Sequence, residues 1–147
     1  MKEYKDYKLK FELVPEGCWY SNLRSVLPPQ AWDKIRRAAY ARANGKCSVC
    51  QKPTRRLEAH ERWSYDEKNA VQTLVDVVAL CSDCHSVVHI ARTQLMGRGD
   101  EAMEHLMRVN ECSQMESHEA LRIANEEHFR RNKIYEWSLD LKWLNGR

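Results

Sequence analysis

The spacing of its cysteines constrains this chain more than any other feature. Cys47-Ser-Val-Cys50 and Cys81-Ser-Asp-Cys84 are two Cys-x-x-Cys pairs with thirty residues between them. In each pair the two sulfurs can lie on one tight turn and face a common point. Two such turns supply four thiolates in the tetrahedron that zinc prefers. The first pair precedes a candidate strand and the second follows another, so an antiparallel hairpin would bring the pairs together. A zinc ion held there is a structural staple whose binding energy contributes directly to folding. Disulfides are disfavoured because the chain is expected in the cytosol, where thiols stay reduced. No secretory signal is expected, since Met1–Leu13 has lysines but no apolar stretch after them. No run of about 18 apolar residues is present, so no membrane span is expected. Cys18 and Cys112 have no partner by spacing and are expected to be buried or incidental thiols.

The chain has 147 residues, enough for one domain with a modest core. With 43% hydrophobic and 31% charged residues it is not of the composition that stays disordered throughout. The net charge of +3 says little about partners, but its distribution says more. Arg36, Arg37, Arg42, Lys46, Lys52, Arg55 and Arg56 fall in a stretch free of Asp and Glu from 34 to 57. Such a stretch can neutralise phosphates without reading sequence, or can simply be a solvated face.

The expected fold class is α+β: a zinc-stapled β-hairpin plus one helix, with flanking helices. Residues 1–45 form an N-terminal arm and helix, 46–96 the cysteine-bearing core, and 97–147 a helical extension of the same domain. Within the first part, 7–14 reads as a strand or extended arm. Residues 30–44 read as a helix, with Trp32, Ile35, Ala39 and Ala43 at helical spacing and Asn44-Gly45 ending it. Residues 57–63 and 73–81 read as strands around a polar loop at 64–72. Residues 82–95 read as a helix with Ser82 as N-cap. Helices are expected at 101–110 and 117–131, and 134–144 as a strand or short helix. In that last third, Trp137 and Trp143 are read as core aromatics rather than a partner surface.

Three of the six histidines gather around the knot. His85 directly follows Cys84, and His89 stands four residues later, so both share one face of the proposed helix. His60 lies on the first strand, which a hairpin sets beside that helix. Three imidazoles converging there could hold a second, divalent metal, or two could hold it while the third activates water. His105, His118 and His128 fall on amphipathic helices and are assigned no site.

These residues resemble the HNH endonuclease family, the ββα-metal nucleases, in its zinc-bearing branch. The resemblance covers residues 46–92. Its carriers are Cys47-Ser-Val-Cys50, Leu57-Glu-Ala-His60-Glu61 and Ala79-Leu-Cys81-Ser-Asp-Cys84-His85-Ser-Val-Val-His89. The flanks Trp19–Pro29 and Trp137–Leu141 look like those of a bacterial and phage subgroup. The resemblance implies hydrolysis of DNA phosphodiesters with a catalytic divalent metal, Mg²⁺, Mn²⁺ or Ni²⁺, beside the structural Zn²⁺. It implies catalytic roles for His60, Glu61, His85 and His89. In the family the first strand carries a metal ligand followed by the general base. Here the pair is either His60-Glu61, with His60 as ligand and Glu61 in the base position, or Ala59-His60, with His60 as base and Glu58 on its face. Ligation by histidine alone leans towards Mn²⁺, Ni²⁺ or Zn²⁺ rather than Mg²⁺. The competing expectation is a zinc-containing nucleic-acid-binding module with weak or absent catalysis.

Overall fold

A computed structural model describes residues 2–147. The fold is α+β, with six helices and one three-stranded sheet among these residues. The helices are α1 (Leu23–Val26), α2 (Pro29–Ala43), α3 (Ser82–Val88), α4 (Ile90–Leu95), α5 (Gly99–Asn110) and α6 (Gln114–Arg131). The strands are β1 (Glu58–Asp66), β2 (Val71–Leu80) and β3 (Ser138–Asp140). None of the described helices is long and apolar enough to cross a membrane.

β1 and β2 form an antiparallel hairpin, and β3 adds to β2 in parallel. The hairpin is longer than the apolar pattern predicts. The expected loop at 64–72 is mostly strand, and only a tight turn at 67–70 remains. Ser64, Tyr65 and Asp66 pair with Thr73, Gln72 and Val71 in turn. An edge strand can carry polar side chains on its open face, which hides it from an apolar pattern. Asp66 then closes the turn by accepting from the Asn69 amide at 3.0 Å, and Ala70 takes a left-handed φ of 53°. A register shift between Arg62 and Trp63 breaks the ladder just past His60 and Glu61.

Pro29 opens α2 at its first turn, where a missing amide costs nothing. Asn44 ends it at φ 53°, as Asn tolerates. Trp32 and Ala39 are buried on the face that meets β2, in a cluster with Leu23, Leu74 and Val77. The larger core lies on the other side of the hairpin. There Leu80, Val87, Val88, Ile90, Leu106 and Ala120 pack together. Tyr7, Leu9 and Phe11 enter that core from the arm. The arm is extended, as expected, but it is not a strand; alternation alone turns those three residues inward.

Two departures from the predicted helix at 82–95 matter for the site. Cys81, not Ser82, is the N-cap: its sulfur accepts from the Cys84 amide at 3.4 Å. The helix also breaks at His89, whose backbone sits at φ −101° and ψ 48°. The Thr93 hydroxyl compensates by donating to the Ser86 and His89 carbonyls at 2.6 and 3.1 Å. Beyond α5, a Ser113–Glu116 capping box starts α6 three residues ahead of the predicted start.

The arm is fastened by the C-terminal half. Asn110, at the end of α5, is fully enclosed and makes four hydrogen bonds through its side chain. Its oxygen accepts from the Lys8 and Leu9 amides at 2.7 and 3.1 Å. Its nitrogen donates to the Leu9 and Leu106 carbonyls at 2.9 and 3.1 Å. Further along, the Glu16 amide donates to Asn132 at 2.9 Å. Gly17 lies so close to the Tyr135 carbonyl that a Cβ there would stand 2.8 Å from it. Replacing Asn110 by Ala strands these backbone groups, and is expected to cost about 2–4 kcal/mol in urea unfolding. A loss below about 0.5 kcal/mol would mean that the arm is not held this way.

Candidate metal centres and cleft

The first cysteine pair is shaped by local backbone bonds. The Cys47 amide donates to the Lys52 carbonyl at 3.0 Å, and the Gln51 amide to the Cys47 carbonyl at 3.0 Å. Gln51 turns the chain at φ 65°. The Ser48 amide then donates to the Ala79 carbonyl at 2.9 Å, which joins this turn to the end of β2 just before the second pair. All six cysteines are free thiols. The ligand atoms of Cys47, Cys50, Cys81 and Cys84 lie within 4.8 Å of one another, so the four could hold a metal ion. Three of the four are buried.

Crowding makes these sulfurs poor neighbours without a cation. Closeness to Cys84 pulls the Cys47 thiol down, while Cys47 and burial push Cys84 up and burial pushes Cys81 up. The thiols titrate as a group, so a divalent cation that takes up their charge favours all of them. Four soft, preorganised sulfurs, three of them buried, fit zinc. His105 on α5 adds a contact that the sequence does not suggest. Its Nε2 lies 3.2 Å from Cys84 Sγ, and burial keeps the ring neutral. An Nε2–H there donates to the sulfur, the kind of outer contact that steadies a metal thiolate. No spacing rule flags it, because it comes from a helix outside the cysteine core.

The second cluster is the histidine group. The structure brings His60, His85 and His89 together, with ligand atoms within 4.8 Å of one another. Ring centroids are 5.4 Å apart for His60–His85, 5.3 Å for His60–His89 and 4.8 Å for His85–His89. The break at His89 keeps the last two on one side although the helix ends between them. His85 Nδ1 donates to Glu58 Oε1 at 2.5 Å, which fixes the tautomer and leaves Nε2 as the lone pair. His60 is 5% exposed, and its Nε2 is buried without a hydrogen bond. An orphaned imidazole nitrogen, with two more imidazoles beside it, fits a divalent ion.

His89 is held down to about 4, first by burial and then by the neighbouring His85 and His60. It is therefore neutral at pH 7, as a ligand must be. The unfolded chain binds this proton near pH 6.5, the folded chain only near 4. Between those values the unfolded state binds more protons, so stability falls as pH falls. His89→Asn is expected to flatten the stability–pH profile in that window, read from urea midpoints with the cysteine knot zinc-loaded. Parallel profiles for the two proteins would exclude this role for His89.

The cluster opens into a cleft of about 520 Å³. One wall is β1 and α3; the other is the segment from Val14 to Ser25. Arg24 and Arg92 line it with Trp19 and Trp63. Glu61 lines it as well, but is engaged differently from His60. Its Oε1 accepts from the Leu23 amide at 2.8 Å and so seats α1. Burial raises the Glu61 pKa, with the Leu23 amide opposing.

The basic run is dispersed. Arg36 pairs with Asp33 at 2.9 Å, and Arg42 donates to the Val77 carbonyl at 2.9 Å. The cationic side chains in the cleft are Arg24 and Arg92, which the charge count passed over because they stand alone in sequence. His118 and His128 join neither cluster; His128 Nε2 lies 3.2 Å from the Val14 carbonyl.

No protein-family model, no curated protein and no solved structure matches this chain.

Proposed function

We propose that this chain is a divalent-metal-dependent endonuclease of the HNH type, a ββα-metal core that hydrolyses DNA phosphodiester bonds. The observation that carries the proposal is the convergence of His60, His85 and His89 at the mouth of a cleft. They stand on a hairpin and helix joined by the four cysteines. Zinc in Cys47, Cys50, Cys81 and Cys84 is the staple in this reading, and His60, His85 and His89 hold the catalytic ion.

The residues divide the work as follows. Bound there, Mg²⁺, Mn²⁺ or Ni²⁺ supplies charge relief on the phosphoryl and leaving 3′ oxygens. His85, fixed by Glu58, and His89, kept neutral by burial, present lone pairs. The orphaned Nε2 favours His60 as the third ligand. Glu61 then takes the base position. A carboxylate is a weak base at neutral pH, but burial lifts this one towards the range where proton abstraction from water is useful. Arg24 and Arg92, which both line the cleft, pair with the phosphate.

The test is incubation of the pure protein with supercoiled plasmid and each of Mg²⁺, Mn²⁺ and Ni²⁺. Conversion to nicked circles is expected with at least one ion. No conversion with any of them would sink the proposal.

A further inference from the structure

The carboxylate of Glu12 is placed oddly for a surface residue. It lies against His60, one of the three clustered histidines, carried there by the arm, and lines the cleft; its oxygens do not reach the other two rings. Its backbone is fixed: the Glu12 amide donates to the Val88 carbonyl at 2.9 Å, on the helix that bears His85. Its side chain is 28% exposed and lies between two cation-seeking contacts. Glu12 Oε1 is 3.1 Å from His60 Nε2, and Oε2 is 3.9 Å from Arg62 Nε. Neither contact is a hydrogen bond, and both nitrogens are buried without a partner.

A buried imidazole nitrogen with no hydrogen bond is costly. One cation between it and the Glu12 carboxylate relieves that cost. Two ligand atoms about 3 Å apart are spaced as neighbours on one ion with bonds of about 2.1 Å. The 3.9 Å gap to Arg62 leaves the carboxylate unclamped, so it can turn towards an ion.

We propose that Glu12 is an oxygen ligand of the divalent ion held by His60, His85 and His89. This rests on the metal-site part of the proposed function and changes its chemistry. Three imidazoles alone favour Ni²⁺ or Zn²⁺; a carboxylate adds a hard oxygen and a negative charge, and shifts preference towards Mn²⁺. The ligand set thus spans the arm, the first strand and the helix after the knot.

The experiment measures metal affinity without nucleic acid, on protein whose cysteine knot is zinc-loaded. Mn²⁺ binding is followed by electron paramagnetic resonance, and Ni²⁺ binding by calorimetry. In Glu12→Gln, Mn²⁺ affinity is expected to fall by about tenfold or more, with Ni²⁺ affinity falling less. Glu12→Asp is expected to recover part of the Mn²⁺ affinity, and Glu12→His to favour Ni²⁺ over Mn²⁺. Thermal melting of each variant reports whether the arm stays docked. A docked Glu12→Gln protein with wild-type Mn²⁺ affinity would overturn the proposal. An undocked Glu12→Gln is set aside for Glu12→Asp and Glu12→His, whose Mn²⁺/Ni²⁺ ratios must differ if Glu12 is a ligand and must match if it is not. Mn²⁺ binding that depends on Glu12 in a protein that never nicks plasmid leaves this inference standing and removes the nuclease.

Discussion

Cys84→Ser is expected to abolish cooperative unfolding, not merely lower its midpoint. Cys84 is wholly buried, contacts His105, and shares the larger core with Leu80, Val87 and Leu106. Its loss removes one of the four sulfurs that could hold a zinc ion, and an ion held by the remaining three would bind far more weakly. Structural zinc contributes roughly 10–16 kcal/mol of apparent binding energy, against a net domain stability of about 5–15. The metal-free chain therefore has little left to hold it. Circular dichroism should show a shallow, non-cooperative melt for Cys84→Ser, and for wild type after a strong chelator. Cys112→Ser, outside the knot, should melt like wild type. A cooperative Cys84→Ser transition within a few degrees of wild type would mean that the four sulfurs do not bear the fold. Metal analysis at one zinc per chain, lost in Cys84→Ser, completes the comparison.

The second large effect concerns chemistry rather than folding. If Glu61 is the base, Glu61→Gln should cut plasmid nicking by about 10²- to 10⁴-fold while the divalent ion still binds. The substitution is mild for the fold, because the Gln carbonyl can still accept from the Leu23 amide. His85→Ala should lose both nicking and the ion, since it deletes a ligand and frees Glu58. The raised pKa of Glu61 has a further signature. Activity should switch on with rising pH above the ordinary carboxylate range, because the base must first lose its proton. Wild-type nicking by Glu61→Gln would move the base role to another group, with His60 the first candidate. Wild-type nicking by His85→Ala would remove the metal centre itself.

Much of this centre was legible in the sequence, and the reasons are local. The cysteine pairs announce themselves because a turn that presents two sulfurs needs two intervening residues. His85 follows Cys84 by one residue, so fixing the sulfur also fixes the ring. His60 could be aimed at the helix because a hairpin leaves few other places for it. The hidden parts all depend on contacts distant in sequence. Glu12 and His105 reach the two centres from segments whose docking is set by core packing. The break at His89 depends on Thr93 being able to cap the freed carbonyls, which no periodicity encodes. The long hairpin was missed because its outer half is polar, and Asp66 with Asn69 makes a tight turn without glycine. Glu58 shares a strand face with His60, but its bond is to His85 Nδ1 and serves either pairing.

The anchoring of the arm on Asn110 sets an order of events during synthesis. The cysteine knot, the hairpin and all three clustered histidines leave the ribosome before Asn110 does. Leu9 and Asn110 are separated by 101 positions, so the side-chain clasp at Lys8 and Leu9 closes only after most of the chain is made. The bond from the Glu12 amide to the Val88 carbonyl needs only α3 and can form earlier. The arm is therefore seated in two stages, first against α3 and then locked by the end of α5.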